Sequence, residues 1–328
     1  MRGYCMGYAE AKKIDKLKIP VIDLTPLRDG TDPKGVASAL HAASQGLGFI
    51  YVKGHGIPDQ VIENARKNAL TFFGETDGLK ETVRISENHR GWLGQGGAKM
   101  KEGAKADLKE SFIWGHQNYG DDKLDDHPLR GENLWPKHLP NMEKYSMTYF
   151  DYAHQVAHHL MRGFAIGLDL DENFFLRTAS RPLSRASYVF YPAQPLNMGK
   201  DQFGVGAHTD FGVLTVLCQD SVGGLQVQDI NGDWLQAPPI EGTLIVNVAD
   251  LLSRWTDGAY KSTPHRVVNS SGKKRLSIVL AFDPNPETKI DSRDVFGIDH
   301  QPKNDPITCG DYLVWRFNKA FSYRKKTT

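Results

Sequence analysis

The chain has 328 residues, of which 40% are hydrophobic, 24% charged and 10% aromatic, a balance typical of soluble globular proteins. Its 40 Lys and Arg residues against 39 Asp and Glu residues leave a formal net charge of +1, which indicates neither a nucleic-acid-binding surface nor an acidic tail. The apolar runs are too short to span a bilayer, and the basic, polar start does not resemble a secretory signal. Cys5, Cys218 and Cys309 lack metal-ligand spacing and are predicted to be reduced thiols. We therefore expect a cytoplasmic protein of one large or two ordinary domains, with neither nucleic acid nor membrane as a partner.

The first half of the chain alternates between helical and extended patterns. Apolar residues between positions 37 and 47 have helical spacing, and a β-branched and aromatic run follows at Phe49–Val52. A second helix is predicted from Asp59 to about Phe73, and a long one from Glu143 to Leu168. The segment Arg90–Pro140, rich in Gly, Lys, Asp and Pro, is expected to form loops with short elements.

After Pro182, short β-prone runs follow one another, separated by Gly-containing turn signals. The runs are Ala186–Tyr191, Val213–Cys218, Leu225–Gln228, Thr243–Val248, His265–Asn269 and Leu276–Phe282. Many short strands at this spacing are typical of a sandwich or barrel. We therefore predict a mostly β chain with flanking helices, in which a double-stranded β-helix (jelly roll) is supported by an N-terminal helical and mixed region.

A candidate metal site begins with a Gly-Ala-His-Thr-Asp motif. If this motif is a strand, His208 and Asp210 share a face, because side chains alternate along a strand. His265, in a later strand, could supply a third ligand. Two imidazoles and one carboxylate form the facial triad of non-haem Fe(II) sites. A hydrogen-bonded His–Asp pair is the alternative, but Gly204 and Gly206, which allow close backbone approach, favour the metal site.

Arg275 and Ser277 lie two residues apart at the start of the last predicted strand, so both face the same side. A guanidinium and a hydroxyl at that spacing suit a carboxylate, which arginine binds through two charge-assisted hydrogen bonds. The tripeptide Arg-x-Ser is not specific, because Arg84 and Arg185 begin two further copies. The position of Arg275, one hairpin after a candidate metal ligand, favours it over a barrel-surface arginine.

The order of these motifs resembles the iron(II)- and 2-oxoglutarate-dependent dioxygenases, and within them the branch of isopenicillin N synthase and the plant flavonoid and gibberellin oxygenases. The resemblance covers most of the chain, through Ile19–Leu24, Gly48–Pro58, Tyr188–Pro192, Gly223–Val227 and Lys261–Val267. Val189 and Ala249 depart from the family pattern, which has Asn and Gly there. Neither departure affects a ligand position.

The resemblance implies the roles of six residues. The implied catalytic iron ligands are His208, Asp210 and His265. The implied partners of the distal carboxylate of 2-oxoglutarate are Arg275, Ser277 and Tyr191. The implied cofactor is Fe(II), and the implied cosubstrates are 2-oxoglutarate and O2. The implied reaction couples oxidative decarboxylation of 2-oxoglutarate to hydroxylation, desaturation or cyclisation of a small molecule.

Two other functions remain open at this point. Some members of the branch that this chain resembles, such as isopenicillin N synthase, use the Arg–Ser pair without 2-oxoglutarate. A 2-oxoglutarate-independent Fe(II) oxidase is therefore one alternative. The second is a jelly-roll binding module that holds zinc. Structural zinc normally has four protein ligands, often cysteines, and no cysteine of this chain lies in a motif that would complete such a site.

We expect four segments within one structural domain. They are an N-terminal support region (17–130), a helical segment (131–180), the catalytic core (181–288) and a C-terminal extension (289–328). Loops within Arg90–Lys101 and the last dozen residues are expected to form the cavity mouth. The primary substrate and the oligomeric state are left open.

Two further groups of residues have competing interpretations. Asp107, Lys109 and Glu110 could shape a substrate mouth or form a salt-bridged surface segment. His154 and His158 have the i, i+4 spacing of helical metal ligands. Because no acidic residue or third ligand accompanies them, they and the adjacent His159 are expected to be half-buried or solvated helix residues.

Overall fold

The computed structural model describes residues 9, 11–12, 19–98, 105–116, 127–194 and 202–324. The helices in these ranges are α1 (Thr25–Arg28), α2 (Pro33–Gln45), α3 (Asp59–Phe73), α4 (Asp77–Lys80), α5 (Asn141–Gly167), α6 (Asp250–Trp255), α7 (Arg293–Phe296) and α8 (Cys309–Ala320). The strands are β1 (Val21–Asp23), β2 (Phe49–Lys53), β3 (Gly91–Leu93), β4 (Glu110–Gly115), β5 (Arg185–Tyr191), β6 (Val205–His208), β7 (Leu214–Gln219), β8 (Leu225–Gln228), β9 (Trp234–Gln236), β10 (Leu244–Val248), β11 (His265–Val267), β12 (Arg275–Phe282), β13 (Lys289–Ile290) and β14 (Ile307–Thr308).

Two sheets form the β core. The larger has eight strands in the order β1-β2-β10-β7-β12-β5-β4-β3, and only its β1–β2 pair is parallel. The smaller has four antiparallel strands in the order β6-β11-β8-β9. Neighbours that are distant in sequence, such as β5 and β12, give the two-sheet arrangement of a jelly roll. The predicted mostly β architecture with flanking helices is therefore confirmed.

Helices cover the outer face of the large sheet. α5 contacts α2 and α3 as well as β7 and β12. Its buried side chains include Phe150, Leu160 and Phe164, which recur at helical spacing on one face. Full burial of each contributes roughly 1.5–3 kcal/mol relative to exposure. Sequence signals also mark the start of α2, where the Asp32 side chain accepts a hydrogen bond from the Gly35 N–H (2.9 Å) and Pro33 occupies the first turn.

The inner face of the large sheet packs against the small sheet. A second apolar cluster fills part of this space, with Phe49, Val189, Leu225 and Ile245 among its members. Because side chains alternate along each strand, every second residue of β5 and β12 points into this space. The functional residues described below extend from the same inner faces.

The middle of the chain is more regular than its composition predicts. All six residues of β4 are buried, and β4 pairs with β5 along its whole length. Because both faces of β4 are covered, it lacks the polar–apolar alternation that marks an exposed strand. The helix α8 was not predicted either. Among the helices that the structure describes, none combines the length and apolar character needed to cross a membrane.

Candidate active site

Three potential metal ligands converge between the two sheets. His208 is the last residue of β6, and His265, the first residue of β11, lies opposite it in the antiparallel pair. Nε2 of each imidazole is 3.7 Å from Oδ1 of Asp210. One ligand atom from each residue lies within 4.8 Å of the other two. The structure thus brings together two imidazoles and one carboxylate, the set predicted from the sequence.

The expectation that one strand carries both His208 and Asp210 is wrong. β6 ends at His208, and Asp210 follows in a loop. The Asp210 carbonyl accepts a hydrogen bond from the N–H of Asp250, the first residue of α6 (2.9 Å), and not from a neighbouring strand. The loop still directs the carboxylate towards the imidazoles, so the ligand set itself is unchanged.

Backbone carbonyls orient both imidazoles. Nδ1 of His208 lies 2.8 Å from the Gly206 carbonyl, and Nδ1 of His265 lies 3.2 Å from the Thr263 carbonyl. A carbonyl can only accept, so this network assigns the proton to Nδ1 in each ring. The Nε2 lone pairs are then free to bind a cation, and the backbone contacts fix the direction in which they point.

Asp210 is held as a carboxylate. Its Oδ2 accepts hydrogen bonds from Thr215 Oγ1 (2.6 Å) and Asn247 Nδ2 (2.8 Å), which leaves Oδ1 towards the imidazoles. Burial acts to raise the pKa of Asp210, but His265, His208 and the two hydrogen bonds outweigh it and lower the pKa to about 2. An ionised carboxylate beside two imidazoles suits a divalent cation such as Fe(II).

A cavity of about 200 Å³ extends from the ligand set between the sheets. Arg275 and Ser277 line it from β12, and both are 1% exposed. Arg275 Nε donates to the Gly223 carbonyl (2.6 Å), but Arg275 Nη1 and Ser277 Oγ are buried without a hydrogen-bond partner among the described residues. Unpaired buried polar atoms are costly, so this pair fits a ligand that brings hydrogen-bond acceptors, such as a carboxylate.

Tyr191 completes this end of the cavity. It lies opposite Arg275 in the β5–β12 pair, and the Arg275 guanidinium is 4.6 Å from the centre of its ring. Burial raises the pKa of Tyr191 to about 12, so its hydroxyl stays protonated at neutral pH. A Cβ atom at Gly204 would lie 2.8 Å from the ring, whereas one at Gly206 would meet nothing closer than 3.6 Å. Close packing therefore requires glycine only at the first of these two positions.

The other two Arg-x-Ser copies have different surroundings. Arg84 is largely exposed and pairs with Glu81. Arg185 lines the cavity near the C-terminal helix, forms a buried ion pair with Asp283 (2.7 Å) and lies 4.6 Å from the ring centre of Phe317. Sequence reasoning did not select Arg185 for the site. Its position at the start of β5, an even number of residues before Tyr191, could have placed both on the inner face.

The residues from Asp107 to Glu110, at the start of β4, fit the mouth interpretation in part and do not form a salt-bridged surface segment. Glu110 forms a buried ion pair with Lys80 (2.7 Å) and accepts a hydrogen bond from Trp92 Nε1 (2.9 Å). Lys109, in contrast, lines the cavity. Asp107 is buried, and its Oδ1 accepts a hydrogen bond from the Gly206 N–H (3.0 Å). One residue of the three thus belongs to the cavity wall and another to a structural ion pair.

Residues near the two expected mouth segments also reach the cavity. Leu93, Phe317 and Phe321 line it, whereas Lys101 lies outside the described residues. The α5 histidines lie elsewhere: the ring of His154 is 4.6 Å from that of His158 and packs on the large sheet. His208, Asp210 and His265 are the only group of three potential metal ligands in the described part of the chain.

Comparison with known proteins places these features in a family. Residues 19–138 match a model described as the N-terminal region of non-haem dioxygenases in morphine synthesis, and residues 180–284 match the 2OG-Fe(II) oxygenase superfamily. A 2-oxoglutarate-Fe(II) type oxidoreductase of Emericella nidulans is 30% identical over 329 residues, with 94% of this chain and 93% of the relative covered. A homoarginine-6-hydroxylase of Glycine max is 32% identical over 302 residues, with 85% and 89% covered.

A solved structure is similar over nearly the same extent. A full-length protein of Neurospora crassa, crystallised in complex with alpha-KG and thymine, has a TM-score of 0.83 at 29% identity, with 93% of this chain and 98% of that protein covered. The predicted fold, the oxidoreductase class and the use of Fe(II), 2-oxoglutarate and O2 are confirmed by these similarities. The chain belongs to the 2-oxoglutarate–Fe(II) oxygenase superfamily, as a non-haem Fe(II) oxygenase that couples oxidative decarboxylation of 2-oxoglutarate to oxidation of a substrate.

Proposed function

We propose a specific role for each residue of the site. The residues proposed to hold Fe(II) at the catalytic centre are His208, Asp210 and His265. The residues proposed to hold the distal carboxylate of 2-oxoglutarate are Arg275, Ser277 and Tyr191. The observation that supports the second set is a pair of buried donors on the wall of the same cavity, Arg275 Nη1 and Ser277 Oγ, which have no hydrogen-bond partner among the described residues.

The chain's own groups bind and orient the reactants. Arg275 provides a positive charge and two parallel N–H donors in a buried site, where a charge-assisted pair is stronger than in water. Thr215 and Asn247 fix one oxygen of Asp210, so the other keeps its direction towards the imidazoles. Apolar wall residues such as Val189 and Leu225 exclude water. Bound Fe(II), with 2-oxoglutarate and O2, supplies the oxidising chemistry, and 2-oxoglutarate leaves as succinate and CO2.

We propose that the primary substrate is a small molecule, which is hydroxylated, desaturated or cyclised. The cavity of about 200 Å³ lies below the usual range for small-molecule pockets, so it favours a compact ligand. The Neurospora crassa protein was crystallised with thymine, and the Glycine max relative is named for homoarginine. Thymine and homoarginine are both small molecules. The proposed placement in the isopenicillin N synthase-like branch is supported by the order of the ligand and Arg-x-Ser motifs.

We also propose that the segments 17–130, 131–180, 181–288 and 289–328 form one structural domain in the cytoplasm. Strands β1 to β4 of the first segment are hydrogen-bonded into the sheet that carries β12, which supports a shared core. Free, buried thiols at Cys218 and Cys309 support a reducing compartment.

Iron binding tests the ligand assignment. We expect His208→Ala and Asp210→Ala each to abolish Fe(II) binding and succinate release, because each removes one of three ligands. Anaerobic titration with Fe(II), followed by a succinate assay with O2, measures both properties. His138→Ala, which changes a partly exposed histidine paired with Glu75, is the matched control. Fe(II) affinity equal to wild type in either ligand variant would contradict the assignment.

The same assay tests the cosubstrate. Oxygen consumption by the wild-type protein without succinate release, over a broad set of candidate substrates, would instead support the 2-oxoglutarate-independent oxidase. Tight zinc binding without an absorption band from Fe(II) and 2-oxoglutarate would support the binding module.

A further inference from the structure

Lys109 is a cation on the cavity wall that has no role in the proposed function. It directly precedes β4 and lines the cavity together with Ser111 and Ile113, which follow at alternate positions. The adjacent backbone lies beside the metal-binding strand, because the Leu108 N–H donates to the Phe203 carbonyl (3.1 Å) and Asp107 Oδ1 accepts from the Gly206 N–H. Lys109 therefore lies between β4 and the strand that ends at His208.

No ion pair neutralises Lys109 within the described ranges. Burial lowers the pKa of Lys109, while the carboxylates of Asp107 and Asp210 oppose that shift electrostatically without contacting the ammonium. Asp107 Oδ1 accepts from the Gly206 N–H, and Asp107 Oδ2 is buried without a hydrogen-bond partner among the described residues, so it does not contact the Lys109 ammonium. Asp210 is held by Thr215 and Asn247. An ammonium removed from bulk water without a direct partner is costly, so a bound anion would stabilise it.

The charges of the loaded site leave Lys109 without a direct counterion. The charged residues among the described cavity-lining ones are Lys109, Arg185, Asp210 and Arg275. Arg185 is neutralised by Asp283 behind the wall. Fe(II), Asp210, Arg275 and the two carboxylates of 2-oxoglutarate together carry no net charge. Among the described residues, Lys109 is then a wall cation without a direct counterion, because the carboxylate of Asp107, which lies off the cavity wall, acts on it only electrostatically.

The rest of the substrate side is mainly apolar and aromatic. Phe211, Phe317 and Phe321 line it, together with Leu93 and Ile113, and its polar groups include the hydroxyls of Ser111 and Ser187. Such a surface favours the hydrocarbon or ring portion of a ligand, and neither hydroxyl carries the negative charge that would neutralise an ammonium group. A ligand that satisfies both parts of the wall has an apolar body and an anionic group.

We propose that Lys109 binds an anionic group of the primary substrate, which is therefore a carboxylic acid, or a molecule of the same charge, with an apolar or aromatic body. This inference rests on the proposed function, because it takes Arg275 as the partner of 2-oxoglutarate. Lys109 then orients the substrate across the open side of the ligand set.

Pairs of acids and their amides test the charge requirement. The probes are benzoate, phenylacetate and hexanoate, each compared with its primary amide, which has nearly the same shape but no charge. Anaerobic calorimetry on the protein loaded with Fe(II) and 2-oxoglutarate measures binding, and succinate release measures turnover. We expect acids to bind and to stimulate succinate release better than their amides, by about tenfold or more.

Substitutions test whether Lys109 is responsible. Lys109→Met keeps the length of the side chain and removes its charge, Lys109→Arg keeps the charge, and Lys34→Met changes an exposed lysine of α2 as the matched control. We expect Lys109→Met to weaken binding of the best acid by about tenfold to a hundredfold and to raise its KM accordingly. Its amide should be little affected, Lys109→Arg should retain part of the preference, and Lys34→Met should match wild type.

Three results would overturn the inference, and they differ from failure of the proposed function. The first is equal binding of acids and amides by wild type, and the second is an unchanged acid preference in Lys109→Met. The third is a loss of 2-oxoglutarate affinity in Lys109→Met as large as the loss for the acid, which would assign the ammonium to the cosubstrate. A wild-type protein that releases no succinate would refute the proposed function, and the calorimetric comparison would still decide the role of Lys109.

Discussion

Arg275 has a fully buried guanidinium whose nearest partners are a backbone carbonyl and a tyrosine ring. No carboxylate in the described ranges forms an ion pair with it, and its Nη1 lacks a hydrogen bond. A buried charge without a counterion is rare in folded proteins and is characteristic of a site for an anionic ligand. At the scale of single residues, this is the strongest sign of the cosubstrate in the structure.

Replacement of Arg275 should weaken 2-oxoglutarate binding specifically. A charge-assisted hydrogen bond is worth roughly 1.5–3 kcal/mol, so Arg275→Ala should lower affinity by about one to two orders of magnitude. Arg275→Lys should restore only part of it, because an ammonium cannot form the planar pair of bonds. Fe(II) affinity should hardly change. Anaerobic 2-oxoglutarate titration measures these effects.

The control variant for this experiment must lie outside the cavity. Arg185→Ala, in another Arg-x-Ser copy, is unsuitable because Arg185 lines the cavity. Arg84→Ala is suitable, since Arg84 is exposed and pairs only with Glu81 among the described residues. If Arg275→Ala and Arg84→Ala bound 2-oxoglutarate equally well, the proposed role of Arg275 would be wrong.

The sequence predicts the candidate-site residues that belong to contiguous motifs, and it does not predict those that depend on packing. Arg275 and Ser277 share a strand face by their spacing, and their position one hairpin after His265 distinguishes them from the other Arg-x-Ser copies. Arg185 and Phe317 enter the cavity only because β5 and α8 are placed beside it by tertiary structure. Thr215 could have been suspected, since it lies in the strand that follows Asp210, but its hydroxyl could equally have faced solvent.

At the scale of elements, Asp250 connects three segments around the ligand set. Its backbone N–H supports the Asp210 carbonyl from the start of α6. Its side chain accepts hydrogen bonds from Ser262 (2.7 Å), just before β11, and from Tyr312 (3.0 Å) and Arg316 on α8. This one carboxylate thereby holds α8, whose Phe317 forms part of the cavity wall, against the segments that carry the candidate metal ligands.

We expect a double-mutant cycle to measure this link between α6 and α8. Asp250→Ala and Arg316→Ala should each destabilise the protein, with a coupling energy of about 0.5–3 kcal/mol, because the pair is partly buried and charged. Urea denaturation of the wild type, both single variants and the double variant measures it. The more exposed Arg162–Glu172 pair is the control and should show at most about 0.5 kcal/mol. Additive effects at Asp250 and Arg316 would show that the contact does not join the two helices.

The elements themselves were predictable where the pattern is local. α3 begins and ends where the sequence places it, and α5 spans Asn141–Gly167 where Glu143–Leu168 is predicted. β4 was not predicted, because a strand buried on both faces has no alternation and lies here among residues typical of loops. The termination of β6 before Asp210 also depends on a distant contact, the hydrogen bond from α6.

At the scale of the whole molecule, the fold contains buried and half-buried histidines whose surroundings favour the neutral form. Burial lowers the pKa of His154 to about 3, and its ring packs between Phe150 and Phe282, 5.6 Å and 5.1 Å away. Burial also lowers the pKa of other histidines: His89, His116, His127, His158 and His159. Each of these side chains is therefore protonated more easily in the unfolded chain than in the folded one.

Stability should therefore fall as the pH falls below the ordinary histidine pKa of 6.5. Between pH 6.5 and about 3, the unfolded state binds a proton at position 154 and the folded state does not, so this residue alone reduces the free energy of unfolding by up to roughly 1.4 kcal/mol per pH unit.

His154→Phe removes the titrating group and keeps an aromatic ring against Phe282, so it should flatten the pH dependence even if the lost contact with Ser184 lowers stability at pH 7. Urea denaturation of the metal-free protein between about pH 4.5 and 7 measures the slope and avoids any effect of iron on the ligand histidines. His138→Gln, at a partly exposed histidine, is the control. A slope in His154→Phe as steep as in wild type would mean that protonation of His154 does not limit the stability of the fold in acid.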